Sequence, residues 1–210
     1  MTKKQFFITI SMNKPEFLKK VSYVPEFNKN FTPTPATFPG LAMLEMNLKP
    51  DDDYEIITIM TDDVNGRTII NYETFKKELA ELSEKLGREL SVTKEIHIPH
   101  EESKEKHIKF FRNVCDAFEP FSEVYMDVTY GSKISSISEF ASLVYAEKTT
   151  RCKIRDVIYG QYNHNDGEEG YLFSVRCVYE LKELIQSASM LGNVDIDKML
   201  DNFGGADDEL

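Results

Sequence analysis

The chain has 210 residues, 41% of them hydrophobic, with 25 Lys and Arg set against 36 Asp and Glu. That length and apolar content suit one sizeable packed core, and the net charge of −11 argues against a long duplex as the main partner, because phosphate neutralisation needs a broad basic face. No apolar run approaches the roughly 20 residues of a membrane span. The three cysteines (Cys115, Cys152 and Cys177) show no metal-ligand spacing, so reduced thiols in a cytoplasmic protein are expected.

The apolar, β-branched run FFITIS (Phe6 to Ser11) predicts a central strand. From Met12 to Gly40 five prolines interrupt any period, so a long loop is expected, with Leu41 to Leu48 as a short helix after it. Tyr54 to Met60 reads as a second buried strand ending in Thr61, Asp62 and Asp63. Asn71 to Leu86 has helical spacing at Phe75, Leu79, Leu82 and Leu86, with Gly87 as a C-cap. Leu90 to Ile98 predicts a third strand and Glu101 to Phe118 an amphipathic helix. Glu123 to Thr129 is the fourth strand, and a helix from about Ile134 to Glu147 follows. Lys153 to Tyr159 and Tyr171 to Val178 are two further strands joined by the polar turn His164-Asn165-Asp166-Gly167, so they must be antiparallel. Tyr179 to Leu191 and Ile196 to Phe203 close the pattern.

Short buried strands alternating with helices predict an α/β fold of the Rossmann-like, doubly wound kind, with a mainly parallel sheet and a C-terminal antiparallel hairpin. Residues 1–203 are read as one domain and 204–210 as a disordered acidic tail. In such a sheet ligands bind outside the carboxyl ends of the strands, where strand order reverses. Three predicted strand ends carry polar groups there. They are Ser11-Met12-Asn13-Lys14, then Thr61-Asp62, then Thr129-Tyr130-Gly131-Ser132-Lys133. Gly131 permits a sharp turn, and the helix that starts beyond it offers free N–H groups. Lys14 and Lys133 add positive charge, and Ser11, Asn13 and Ser132 add neutral donors, a set that suits phosphate.

Other features admit plainer readings. Asp62 and Asp63 fit a solvated turn before Asn65-Gly66, or acceptors for amino groups of a base. His97, His100 and His107 are too scattered to predict a metal site. Cys115 and Cys177 are expected in the core. Tyr23, Phe27, Phe31 and Phe38 either pin the proline-rich loop or stack on a ligand's bases. No GxGxxG or Walker A spacing is present, which disfavours an ordinary nucleotide-binding regulator.

The stretch Asp127-Val128-Thr129-Tyr130-Gly131-Ser132-Lys133 resembles the D-x-T-H-G-x-R motif that ends the fourth strand in one branch of the CRISPR-associated Rossmann-fold (CARF) domains. YVPEF after the first strand, IITIMTDD, HIPHEESKEKHIKFF, IRDVIYGQYN and VYELKELIQSASMLGNVD resemble the family's other segments in the same order, over nearly the whole chain. Tyr130 stands where the motif has His, and Ser132-Lys133 where it has an aromatic residue and Arg. Lys keeps the charge but lacks the guanidinium fork.

The resemblance implies a homodimer that binds a cyclic oligoadenylate (tetra- or hexa-adenylate), the second messenger of type III CRISPR antiviral defence, with no cofactor or metal. An even-numbered ring can share the two-fold axis of an isologous dimer, so each chain need supply half of the donors. Two roles stay open. One is a sensor, stand-alone or fused to an effector domain. The other is a ring nuclease working by metal-independent 2′-OH attack, with Lys133 and Ser11 as the catalytic candidates.

Overall fold

The computed structural model describes residues 2–28, 30–63, 65–100, 103–162 and 169–191. The expected hairpin turn 164–167, the helix 196–203 and the tail 204–210 lie outside the described residues. The chain divides into two compact units, Met1–Val175 and Arg176–Leu210.

The first unit holds one seven-stranded sheet. Its elements are β1 (Lys4–Thr9), β2 (Ser22–Pro25), α1 (Pro39–Asn47), β3 (Tyr54–Asp62), α2 (Arg67–Leu86), β4 (Lys94–Pro99), α3 (Lys104–Cys115), β5 (Glu123–Asp127), α4 (Lys133–Thr149), β6 (Lys153–Tyr162) and β7 (Glu169–Ser174), with a 3₁₀ turn at Pro15–Phe17. The strand order is β2-β7-β6-β5-β1-β3-β4. Among the described residues β6 and β7 pair antiparallel, and the other neighbouring strands of the sheet pair parallel. This is the expected doubly wound α/β sheet with its antiparallel hairpin.

The physical cause lies in burial. All six residues of β1 are buried, and so are Ile56 to Thr61 of β3, which is what a central parallel strand covered on both faces requires. One face is covered by α1 and α2, which pack on each other, and the other by α3 and α4. On the first face Phe6 stacks on Tyr125, with ring centroids 4.9 Å apart. Phe38 meets Phe75 edge-on at 5.4 Å on the same side.

Three sequence expectations change. The segment 12–40 is not structureless: it contains β2, the bridge Val21–Ala36 and the 3₁₀ turn. Two of its aromatics, Tyr23 and Phe38, are fully buried and pin the segment to the core, whereas Phe27 is exposed. The last strand stops at Ser174, so Val178 belongs to a helix. That helix, α5 (Arg176–Leu191), forms the described part of the second unit and carries an Arg176–Glu180 ion pair at 2.6 Å. Cys177 on it is exposed rather than buried as expected, while Cys115 and Cys152 are buried.

Candidate functional site

Strand order reverses between β1 and β5: β3 and β4 lie to one side of β1, and β5, β6 and β7 to the other. The crevice expected from an open α/β sheet therefore opens above Thr9 and Asp127, the last residues of those two strands.

Asp127 builds the turn that leaves β5. Its Oδ1 accepts the backbone N–H of Thr129 at 2.9 Å and the Thr129 hydroxyl as well. The Thr129 hydroxyl oxygen in turn accepts the N–H of Gly160 at 2.8 Å, tying the turn to β6. The D-x-T part of the stretch is thus a structural lock. Burial pushes the Asp127 carboxyl up to about 6, against the pull of its hydrogen bonds to Thr129.

Gly131 follows with φ of +102°, a conformation that side chains with a Cβ rarely adopt. A Cβ there would lie 2.7 Å from Ser135 Oγ and 3.3 Å from Thr9 Cγ2, so the turn is pressed onto β1 and α4 at once. Ser132 caps α4: its hydroxyl oxygen accepts the N–H of Ser135 at 3.1 Å. Lys133 starts the helix exposed, and among the described residues it has no ion-pair or hydrogen-bond partner.

The turn after β1 is held by Asn71 of α2, whose side-chain amide donates to the carbonyls of Ser11 at 2.8 Å and Asn13 at 2.9 Å. Ser11 itself is fully buried, and its hydroxyl oxygen accepts the N–H of Asn13 at 3.0 Å. It shapes the turn from below. Asn13 and Lys14 are exposed above it, with Lys14 Nζ 3.8 Å from Glu16 and 5.7 Å from the Phe17 ring centroid.

Tyr130 is the clearest departure from the sequence reading. The ring is buried against Phe38, and its hydroxyl donates to the Thr37 carbonyl at 3.1 Å. Burial pushes its phenol far above the ordinary range. It faces the core instead of the crevice. The bend that follows β5 turns the ring under the crevice, where Phe38 and the Thr37 carbonyl receive it.

A cleft of about 310 Å³ lies on the α3–α4 side of this crevice, within the usual size range of small-ligand sites. Met12, Thr61 and Ser132 of the expected set line it. It also takes Ser135 from α4, Phe110 from α3, and a cationic or titratable group of three, His100, Lys106 and His107, from the end of β4 and the first turn of α3. In the sequence these three look scattered. Residues seven apart across a strand-to-helix junction carry no local signal. They line one cleft because α3 packs back on β4, so the end of the strand and the first turn of the helix lie together.

Asp62, by contrast, stands outside the cleft lining. It pairs with His97, whose Nδ1 lies 2.8 Å from Asp62 Oδ1, and that contact raises the His97 pKa. Asp63 accepts the N–H groups of Arg67 and Thr68, both at 3.0 Å, and so fixes the start of α2.

Among the described residues no helix is long and apolar enough to cross a membrane. No family model matches the chain, and a comparison with curated proteins finds no match.

Proposed function

We propose that the chain is a CARF-like module that binds a cyclic oligoadenylate across the crevice, two copies sharing one ring. The observation that carries this reading is the concentration of donors at one end of the sheet in a chain of net charge −11. Lys14 and Lys133 stand exposed on the two turns beside the switch point. Lys106, His100 and His107 line the adjoining cleft together with the Ser132 hydroxyl. A strongly acidic protein that gathers cationic groups at a strand-end crevice is suited to a compact, multiply charged anion.

Exposed apolar residues support the second copy. Ile69 and Ile70 in the first turn of α2 are 66% and 53% exposed, and Ile137 in α4 is 68% exposed, with Ile134 beside it. In a doubly wound sheet the helix N-termini stand at the carboxyl ends of the strands. These side chains therefore flank the crevice from both faces of the sheet. A two-fold axis through the crevice would remove them from water and present each donor twice.

Thermal denaturation with cyclic tri-, tetra- and hexa-adenylate, with linear oligoadenylate as control, tests the ligand, since anything that binds only the folded state raises its stability. Sedimentation velocity at micromolar concentration tests the assembly. A stabilising shift with one cyclic species and a two-copy sedimentation coefficient are expected. No shift with any ring, or a monomer with and without it, would overturn the reading.

A further inference from the structure

We infer that Glu139 regulates the crevice through its proton: an anionic ring is held while this buried carboxyl is neutral and is weakened as it ionises. The inference rests on the proposed binding of a cyclic oligoadenylate and adds how that site is regulated.

Glu139 lies directly under the site. It stands on the buried side of α4, one turn below Ser135, which lines the cleft. Its Oε1 accepts the Thr9 hydroxyl at 3.3 Å, and Thr9 ends β1 at the switch point. Thr9 also meets the Gly131 turn, since a Cβ on Gly131 would lie 3.3 Å from Thr9 Cγ2. Glu139 is thus joined to the cleft through its own helix and to the turn through Thr9. The side chain is 0% exposed, and its Oε2 has no partner among the described residues. One hydroxyl cannot replace the water around a carboxylate, so the neutral form is strongly favoured there. Burial accordingly pushes the carboxyl up to about 8.

The charged groups around α4 do not offset that burial. Asp127 of β5, beside Gly40 on the other face of the sheet, pushes the Glu139 carboxyl further up. β1 has Lys4 at its far end, paired with Asp52 at 2.7 Å. α3 brings Lys106 and His107, which line the cleft, and β6 brings Asp156, which accepts the Ser174 hydroxyl at 2.6 Å. On α4 itself Lys133 and Lys148 are exposed and Glu147 is half-buried.

With the proton on Glu139, the floor of the crevice is neutral, and Lys133 and the first N–H groups of α4 attract an anion. With the proton lost, a negative charge stands beneath the phosphates in surroundings of low polarity and repels them. Linkage is reciprocal, so a bound ring must raise the affinity of Glu139 for its proton. Affinity falls as pH rises through about 8, and binding above that pH takes up a proton. Two copies on one ring take up two.

The test is titration calorimetry of the full chain with cyclic tetra- and hexa-adenylate from about pH 7.5 to 9.5, above the ordinary range of histidine and below that of lysine. Each pH is run in two buffers of unlike ionisation enthalpy, which counts the protons exchanged. The Asp127 carboxyl, at about 6, is ionised throughout this window and has no proton to lose. Net proton uptake is expected near pH 8.5. The affinity should fall about five- to tenfold per copy across the window, as a rise of about one pKa unit on binding requires. Glu139→Gln, with Glu139→Met as a second neutral side chain and the fold of each checked by circular dichroism, should bind with no proton uptake and a level affinity. A ring bound by the wild type with no proton uptake and a level affinity would overturn this inference and leave the binding reading standing. Wild-type proton uptake in both variants would assign the proton to another group and also overturn it. Failure to bind any ring would overturn both.

Discussion

Gly131 is packed directly against Ser135: a Cβ on the first would lie 2.7 Å from the hydroxyl oxygen of the second. Ser135 cannot swing away freely, because its hydroxyl donates to the Ser132 carbonyl at 2.7 Å and its N–H is held by the Ser132 side chain. Gly131→Ala therefore meets both an unfavourable φ of +102° and a fixed neighbour. A loss of about 1–3 kcal/mol is expected in urea denaturation. Adding Ser135→Ala should restore the part due to the clash and leave the part due to the backbone. Full recovery in the double variant would show that φ carries no cost there.

Tyr130→Phe separates the core role of this ring from a ligand role. The phenol donates to a buried carbonyl at 3.1 Å, so its removal should cost about 1 kcal/mol of stability. Affinity for a cyclic oligoadenylate, measured by titration calorimetry, should stay within a factor of about two, because 0.4 kcal/mol is about that factor. A tenfold weaker affinity would mean that the hydroxyl turns outward when the ring binds.

Glu139 lies fully buried on α4, where its Oε1 accepts the Thr9 hydroxyl at 3.3 Å and its Oε2 has no partner among the described residues. Burial pushes its carboxyl up from about 4.5 to about 8. Between those two pH values the folded chain holds a proton that the unfolded chain has released. Stability must then fall as pH rises through that window, by up to about 1.4 kcal/mol per pH unit, and level off above it. Glu139→Gln removes the titration. In guanidinium denaturation the variant should gain on the wild type steadily from pH 5 to pH 8. A difference independent of pH would show that Glu139 ionises freely in the folded chain.

Lys133→Ala removes a side chain that is exposed and, among the described residues, unpaired. Stability should change by less than about 0.5 kcal/mol. Binding of a cyclic oligoadenylate should weaken by about 1.5–3 kcal/mol for each phosphate deprived of its charged donor, and a ring shared by two copies is deprived of two at once. Unchanged affinity in calorimetry would put the anion elsewhere on the molecule.

The parts of the fold that were legible in the sequence are those that bury on both sides. The apolar runs at Phe6 and Tyr54 and the 3.6-residue spacing from Phe75 to Leu86 announce themselves, because a central strand or a packed helix must be apolar by itself. β2 was hidden. Its four residues, Ser22–Pro25, sit among prolines and are strand only because β7 pairs with them, a partner almost 150 residues away. Pro25 is tolerated since an edge strand has N–H groups to spare. The start of α2 at Arg67 was hidden for a related reason. Its first turn carries the exposed Ile69 and Ile70 and is fixed by Asp63 from beyond Gly66, so the periodic pattern begins only afterwards.

The site shows the same division. The glycine turn and the polar ends of β1 and β3 could be read from strand-end chemistry. Which of their side chains face outward could not, and Ser11 and Tyr130 prove to face inward. The contribution of β4 and α3 depends on the helix packing back on the strand, which no local pattern encodes.

The two rims of the sheet also govern how copies of the chain can meet. One rim is β2, four residues long and closed by Pro25, which has no N–H to lend. The other is β4, where Lys94, Glu95 and His97 stand exposed along the strand. A proline stop at one rim and charged side chains at the other both discourage strand-by-strand growth from molecule to molecule. The two-copy arrangement proposed above uses neither rim, only the end of the sheet where the helices begin. An interface formed there by a rotation of one half-turn closes on itself after two copies, and so produces a finite particle instead of a fibre.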